Sequence, residues 1–286
     1  MRVSARAAML VVLGATTLVP IVQAQPAAPS STPPLLSIYR EEVKPGRAPA
    51  HAANEAAWSA AYAKSGAPTR WLAMTSLAGP SEAWFLSGHE SWEAFEKLDS
   101  TMSSTPAFQV DEAKFSSAEG DLLSRTSAIL ATFRPGLSYQ TQVALPQMRY
   151  MQVDVVRVKP GHSDEFRETW RSTVAAHEKA KMDEHWAVYE VSAGMPDGTF
   201  LFFYPRKSLG EIDKSGPMHG AAAYRDAVGE SGRARAREMN VSAVESMQTL
   251  IFKFEPQMSI LDKNWIDGDP AFWTLKPPPA PAAKKK

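Results

Sequence analysis

Val43-Lys44-Pro45-Gly46 and Val158-Lys159-Pro160-Gly161 are the same four residues in the same order, and 158 − 43 sets them 115 apart. The same step carries Trp71 onto Trp186 and Gly79 onto Gly194. Three separate anchors at one spacing identify an internal duplication. A length of 286 residues suits two domains of ordinary size, and the duplication selects two.

Working outward from the first Lys-Pro-Gly, the residues before it (35–43) alternate as a strand that the turn chemistry stops. After it, 48–64 is an alanine-rich helix with Trp58 and Tyr62 four apart, ended by Gly66 and Pro68. Strands at 70–77 and 82–87 flank the hairpin signal Ala78-Gly79-Pro80-Ser81. A second helix starts at Glu90 and carries Trp92, Phe95 and Leu98; a third is expected over 110–124, then a closing strand over 128–133. The second copy repeats the order. Strand 151–158 leads into helix 163–181 with Phe166, Trp170, Val174 and His177 on one face. Strands 185–191 and 199–204 follow, then helices near Ser208 and over 233–244, and a strand over 248–254. Phe254-Glu255-Pro256 answers Phe133-Arg134-Pro135 at an offset of 121, so the loops have gained residues while the strands kept theirs.

Each copy is therefore a β-α-β-β-α-β, ferredoxin-like unit. Helices cover one face of such a sheet and leave the other apolar face in need of a partner. Phe200, Leu201, Phe202 and Phe203 are apolar on both faces of one strand, as are Trp84, Phe85 and Leu86. The fold class is α+β, with two tandem units covering each other's sheets inside one chain.

The ends are of a different character. Arg2 and Arg6, an apolar run over 7–19 and Val22-Gln23-Ala24 form a secretory leader over 1–24, with a mature start at Gln25 and a periplasmic or secreted address. The run is broken by Gly14 and Pro20 and falls short of the ~20 residues that span a bilayer, so no integral membrane span is expected after leader removal. A Pro/Ala/Ser/Thr linker occupies 25–34, the first unit 35–148, the second 149–256, an aromatic arm 257–273 and a lysine-ending tail 274–286. Lys+Arg and Asp+Glu are each 31, so no field of either sign points to nucleic acid or an acidic membrane. The absence of cysteine excludes a disulfide framework.

The repeated sequence of strand, Lys-Pro-Gly turn, helix, Trp-led strand and aromatic hairpin resembles the dimeric α/β-barrel superfamily, within it the NIPSNAP-like and antibiotic-biosynthesis-monooxygenase-like domains. The resemblance covers about 35–135 and 149–256. It implies an internal pseudo-dimer forming one barrel, with monomer and homodimer both open as final states. The superfamily includes cofactor-free oxygenases, haem-degrading enzymes, isomerases and proteins without assigned activity, so the function expected is small-molecule binding with cofactor-free or haem-linked oxidoreductase activity. The alternative is a non-catalytic envelope scaffold or protein-interaction module.

No phosphate loop, nucleophile elbow or HExxH motif is present, so the chemistry is sought among residues that line a pocket. His177 lies on the stripe of the second long helix and Tyr62 is its match in copy one. His219 stands where haem-degrading barrels, by the resemblance, place an iron-binding histidine. These two histidines are the catalytic candidates. Tyr62, Trp71, Trp186, Glu42, Arg157 and His185 are the ligand-binding candidates. Trp71 and Trp186 serve as sheet core or pocket wall, and Glu42 and Arg157, again 115 apart, as a cross-interface pair, a polar subsite or solvent-facing strand ends. His185 with Asp183, Glu184 and His177 has no recognised metal-ligand spacing, so no metal is assigned. His89 reads as structural. The cofactor is left unassigned, and the partner expected is a small apolar or aromatic ligand.

Overall fold

The computed structural model describes residues 32–108, 112–215 and 222–274. The leader and His219 lie outside the described residues. The first unit contains β1 (Leu35–Val43), α1 (Ala48–Ser65), β2 (Leu72–Ala78), β3 (Glu82–His89), α2 (Trp92–Ser104), α3 (Glu112–Leu122) and β4 (Leu123–Phe133). The second contains β5 (Tyr150–Val158), α4 (Ser163–Ala180), β6 (Ala187–Ala193), β7 (Thr199–Arg206), α5 (Gly210–Ser215), α6 (Ala222–Ser242) and β8 (Val244–Phe254). Strands β1 and β5, and helices α1 and α4, start and stop 115 residues apart, so the offset holds residue for residue.

The strands close into one barrel in the order β1-β3-β2-β8-β5-β7-β6-β4. Each unit contributes four neighbouring strands, and two matched seams join the halves: β2 with β8, where Met74 faces Phe254, and β4 with β6, where Phe133 faces Tyr189. Two βαββαβ units closing one eight-stranded barrel is the dimeric α/β-barrel architecture, here within a single chain. The doubly apolar strand divides as expected. Leu201 and Phe203 join Ile38, Met74, Trp84 and Phe252 in the barrel interior, while Phe200 and Phe202 lie under α4. Trp84 and Phe252 come from different halves and their rings stand 4.9 Å apart. Full burial of side chains of this size contributes about 1.5–3 kcal/mol each, so the halves hold each other together mainly here.

The Lys-Pro-Gly repeat has a physical reason. Gly46 and Gly161 take positive φ (77° and 86°) in the turn. The backbone N–H of Lys44 donates to Leu122 O at 2.9 Å, and that of Lys159 to Ala243 O at 2.7 Å. The Lys44 ammonium donates to Gly120 O at 2.9 Å, and the Lys159 ammonium to Ser242 O at 2.8 Å and Val241 O at 3.1 Å. In each half a cation thus satisfies carbonyls at the C-terminal end of the last helix, where they are unpaired and the helix dipole is negative.

Several boundaries differ from the sequence expectation, among them the start of α6, at Ala222 instead of near 233. The third helix stops at Leu122, and β4 starts at Leu123 instead of near 128; β8 likewise starts at Val244. The early parts of both strands are polar and exposed, as at Arg125, Thr126, Glu245 and Ser246, and show no apolar alternation. Pairing with β1 and β5 draws them into the sheet through the backbone ladder.

The aromatic arm packs on the body as expected. It forms α7 (Lys263–Gly268) and α8 (Pro270–Trp273), and Trp273, 4% exposed, joins the barrel-interior cluster beside Phe254 and donates to Pro146 O at 2.6 Å. The tryptophan anchors are matched staples. Trp71 donates its indole N–H to Met258 O at 2.7 Å and Trp186 donates its own to Leu137 O at 2.8 Å. Each fastens a sheet edge to the segment that follows a unit's last strand.

Candidate functional site

The two halves share a backbone plan but not a filling. In the second half the space between α4 and the sheet is solid: the Phe166 ring lies 4.7 Å from Phe200, Trp170 lies 4.6 Å from Phe202, and Tyr204, Trp186 and Met239 complete the cluster. The first half, read at the same helix and strand positions, has His51 for Phe166, Glu55 for Trp170 and Glu41 for Val156. On β3, whose start lies 117 residues before that of β7, it has Ala83 for Phe200 and Ser87 for Tyr204. Smaller and ionisable side chains leave a cleft of about 590 Å³ between α1 and the first-half sheet. That volume suits a small organic ligand.

Helix α1 is straight-forwardly helical because alanine loses least on folding into a helix, and Pro49 sits in the first turn where its missing N–H is tolerated. It presents Trp58 and Tyr62 to the cleft, stacked at 5.5 Å with 9° between planes, and Tyr62 meets Trp71 edge-on at 5.7 Å. Phe85 and Phe95 add two more rings. The polar lining includes the carboxylates of Glu41, Glu55 and Glu119, and among the described residues no Lys or Arg lines the cleft. His51 lies behind them, its Nε2 2.6 Å from Glu41 and 4.0 Å from Glu55, with His51 and Glu41 each 2% and Glu55 5% exposed. Trp58 donates to Glu119 Oε1 at 2.8 Å.

This electrostatic environment is unusual for carboxylates. Burial first, then the charges of Glu41 and Glu119, push the Glu55 carboxyl up to about 8. Glu119 is raised by burial and by Glu41, against the opposing effects of the Trp58 hydrogen bond and His51. The Tyr39 phenol, at the rim, is raised mainly by burial. A flat ring system can lie between Trp58, Tyr62 and Phe85, with an O–H or N–H group donating to the carboxylates.

A larger hollow of about 650 Å³ lies in the second half between the linking segment and β7, lined by Met148, Met182, His185, Arg206, Lys207 and Glu211 among others. Its acids and bases are mixed, its lining rings are limited to His185, and His185 is already held by Gln140 O at 2.9 Å and Asp183 at 3.6 Å. The first-half cleft is the better candidate because its aromatic walls and its three carboxylates converge on one space.

Of the candidate residues from the sequence, Tyr62 and Trp71 line the cleft, and Trp186 is core. His177 is 1% exposed and packed among Tyr139, Trp186 and Tyr224, its Nδ1 2.8 Å from Thr173 O and its Nε2 3.5 Å from Glu184. It is a core histidine of the filled half. His177 and His185 do not share a carboxylate: His177 faces Glu184, and His185 faces Asp183 at 3.6 Å. Glu42 and Arg157 do not form the cross-interface pair: Glu42 is exposed, and Arg157 meets Glu245 at 3.1 Å within its own half. His89, held structurally, contacts Ser37 Oγ at 2.8 Å and Phe95, and burial lowers its pKa. The sequence reading misses Glu41, His51, Glu55 and Glu119. The signal for the first three was present in the 115 step, which sets each ionisable residue against an apolar one in the other copy.

No protein-family model and no curated protein matches the sequence. Among solved structures the chain is similar to a candidate monooxygenase from Lactobacillus acidophilus, with TM-score 0.48 and 11% identity over 81% of this chain and 100% of that one. It is also similar to an anthrone oxidase-like protein, with TM-score 0.47 and 11% identity over 77% and 91% of the two chains. A mutant chlorite dismutase from Candidatus Nitrospira defluvii gives TM-score 0.43 and 8% identity over 83% and 96%. At these levels the likenesses carry nothing about activity. Among the described residues, no helix is long and apolar enough to cross a membrane.

Proposed function

We propose that this chain is an exported small-molecule-binding barrel whose ligand, a flat aromatic molecule bearing an O–H or N–H donor, occupies the first-half cleft. The observation that supports this reading is the asymmetry between the halves: a ring-walled, carboxylate-floored cleft stands where the other half has a solid aromatic core. Glu119, its pKa raised by burial and its carboxylate anchored by Trp58, lines the cleft where it can accept the donor's proton. The electron-rich anion so formed is the species from which an oxidation by dioxygen would start, so oxidoreductase chemistry is the finer reading.

Haem does not fit this cleft. Its two carboxylates would meet Glu41, Glu55 and Glu119, and among the described residues no Lys or Arg lines the cleft to pair them.

Binding of 2-naphthol, followed by equilibrium dialysis, tests the site. Ser87→Tyr, which puts at a cleft-lining position the residue that the second half has there, is expected to abolish binding seen in the wild type while keeping the wild-type circular dichroism. Equal binding by both proteins would sink the assignment, as would failure of the wild type to bind any of a panel of flat phenols and aromatic amines. Export is tested separately by the intact mass of the protein from its own cells, expected to start at Gln25.

A further inference from the structure

We propose that Glu41, His51 and Glu55 form a site for one divalent first-row metal ion, in the manganese-to-zinc range, at the floor of the first-half cleft. The inference goes beyond the organic ligand and does not need one to be bound.

The three residues come from two rigid elements. Glu41 is on β1, and His51 and Glu55 are one helical turn apart on α1, so their side chains share a face. One donor atom from each lies within 4.8 Å of the others, and all three residues are buried. Bonds of ~2.0–2.2 Å to a common ion set donor atoms roughly 3–4 Å apart. His51 Nε2 and Glu55 Oε1, at 4.0 Å, already meet that spacing. The 2.6 Å hydrogen bond between His51 and Glu41 has to open by less than ~1 Å for the imidazole to turn its lone pair to the ion.

Donor chemistry selects the class of ion. One imidazole with two carboxylates suits manganese, iron, cobalt or zinc, whereas a site for soft ions would need the thiolates this chain lacks. Charge points the same way. The three carboxylates of Glu41, Glu55 and Glu119 face one imidazole, and among the described residues no Lys or Arg lines the cleft, so an entering cation meets carboxylate oxygens and no fixed positive side chain.

The second half supplies the independent observation. Val156, Phe166 and Trp170 occupy the matched positions there and pack as ordinary core. The architecture therefore does not demand ionisable groups at this place, and their presence in one half only marks a site. Because Glu41 and Glu55 also line the cleft, three protein ligands would leave a coordination position open toward a bound small molecule, the pattern of catalytic and not of structural metal sites.

The test uses the full chain, without a histidine tag and stripped by a chelator, titrated separately with zinc chloride and manganese chloride by calorimetry, with stoichiometry from native mass spectrometry. One ion per chain is expected, and Glu55→Gln and His51→Gln should each weaken binding by at least ~100-fold, beyond the 10–100-fold that loss of an outer-shell partner produces. His185→Gln should bind as the wild type does. The triple change Glu41→Val, His51→Phe, Glu55→Trp, which installs residues the fold already packs, should lose the ion while keeping the wild-type circular dichroism. No binding by the wild type, undiminished binding by Glu55→Gln and His51→Gln, or loss on His185→Gln would each overturn the site. No organic ligand enters this experiment, so its failure leaves the 2-naphthol result standing, and the reverse.

Discussion

Converting the floor of the cleft into a copy of the second half should separate what the fold needs from what the site needs. In Glu41→Val alone, His51 loses its 2.6 Å partner while remaining buried, and Glu55 stands 4.0 Å away. Removing one member of a buried ionic pair typically costs about 3–5 kcal/mol, whereas replacing the whole set by well-packed apolar residues is neutral or stabilising by about 1–4 kcal/mol. Val, Phe and Trp at positions 41, 51 and 55 have the packing precedent of Val156, Phe166 and Trp170. A change of 1 kcal/mol moves the melting temperature of a body this size by about 2–4 °C. The single variant should therefore melt roughly 6–20 °C below the wild type, and the triple variant at or up to ~16 °C above it. Calorimetric melts at pH 7 in chelator make the comparison metal-free. The reasoning is refuted if the triple variant melts below the single one, or if Glu41→Val alone is harmless.

Other outcomes follow from the pseudo-symmetry and the buried charges. Trp71→Phe and Trp186→Phe each remove an indole donor from matched carbonyls, so each should lower stability by about 1–3 kcal/mol, and their effects should add in a double variant measured by urea unfolding. Gly194 has φ 89°, and a Cβ there would come 2.0 Å from the backbone oxygen of Ala128, so Gly194→Ala should cost about 3 kcal/mol or more by strain on the β4–β6 seam. Gly79→Ala should cost less, because the atom it meets at 2.5 Å is the movable tip of Leu250. Asp154 is raised by burial, so its ionised form weakens the folded state as pH climbs from the unfolded carboxyl's ~3.9 through the higher folded value. Asp154→Asn should consequently melt higher than the wild type at pH 7, with the gap closing below pH ~4, where both forms are neutral; a gap that persists in acid would contradict this.

Much of the fold was legible because a duplication constrains both copies at once. The 115 step placed β1, α1 and their partners to within about a residue, and the apolar residues at 200–203 announced a strand buried on both sides. The first five residues of β4 were not legible, because Arg125, Thr126 and their neighbours are held by register with β1 and leave no pattern of their own. Tyr62 and Trp71 were found as wall residues because aromatic side chains at matched positions stand out in either copy. Glu41, His51 and Glu55 were not, since a helix rich in alanine and a strand reading Arg40-Glu41-Glu42 look like solvated surface until the other copy shows those positions to be core. His177 stood out as an imidazole on the α4 stripe, but it lies among the rings of Trp186 and Tyr224 in a half packed solid under α4.

Native mass spectrometry of the chain purified from its own compartment examines the division of labour between the halves most directly. The wild type should carry a retained small molecule, and the Ser87→Tyr variant, with a bulky ring set into its first-half cleft, should carry none. The same adduct on both proteins would place the ligand elsewhere and leave the difference between the two halves without a function.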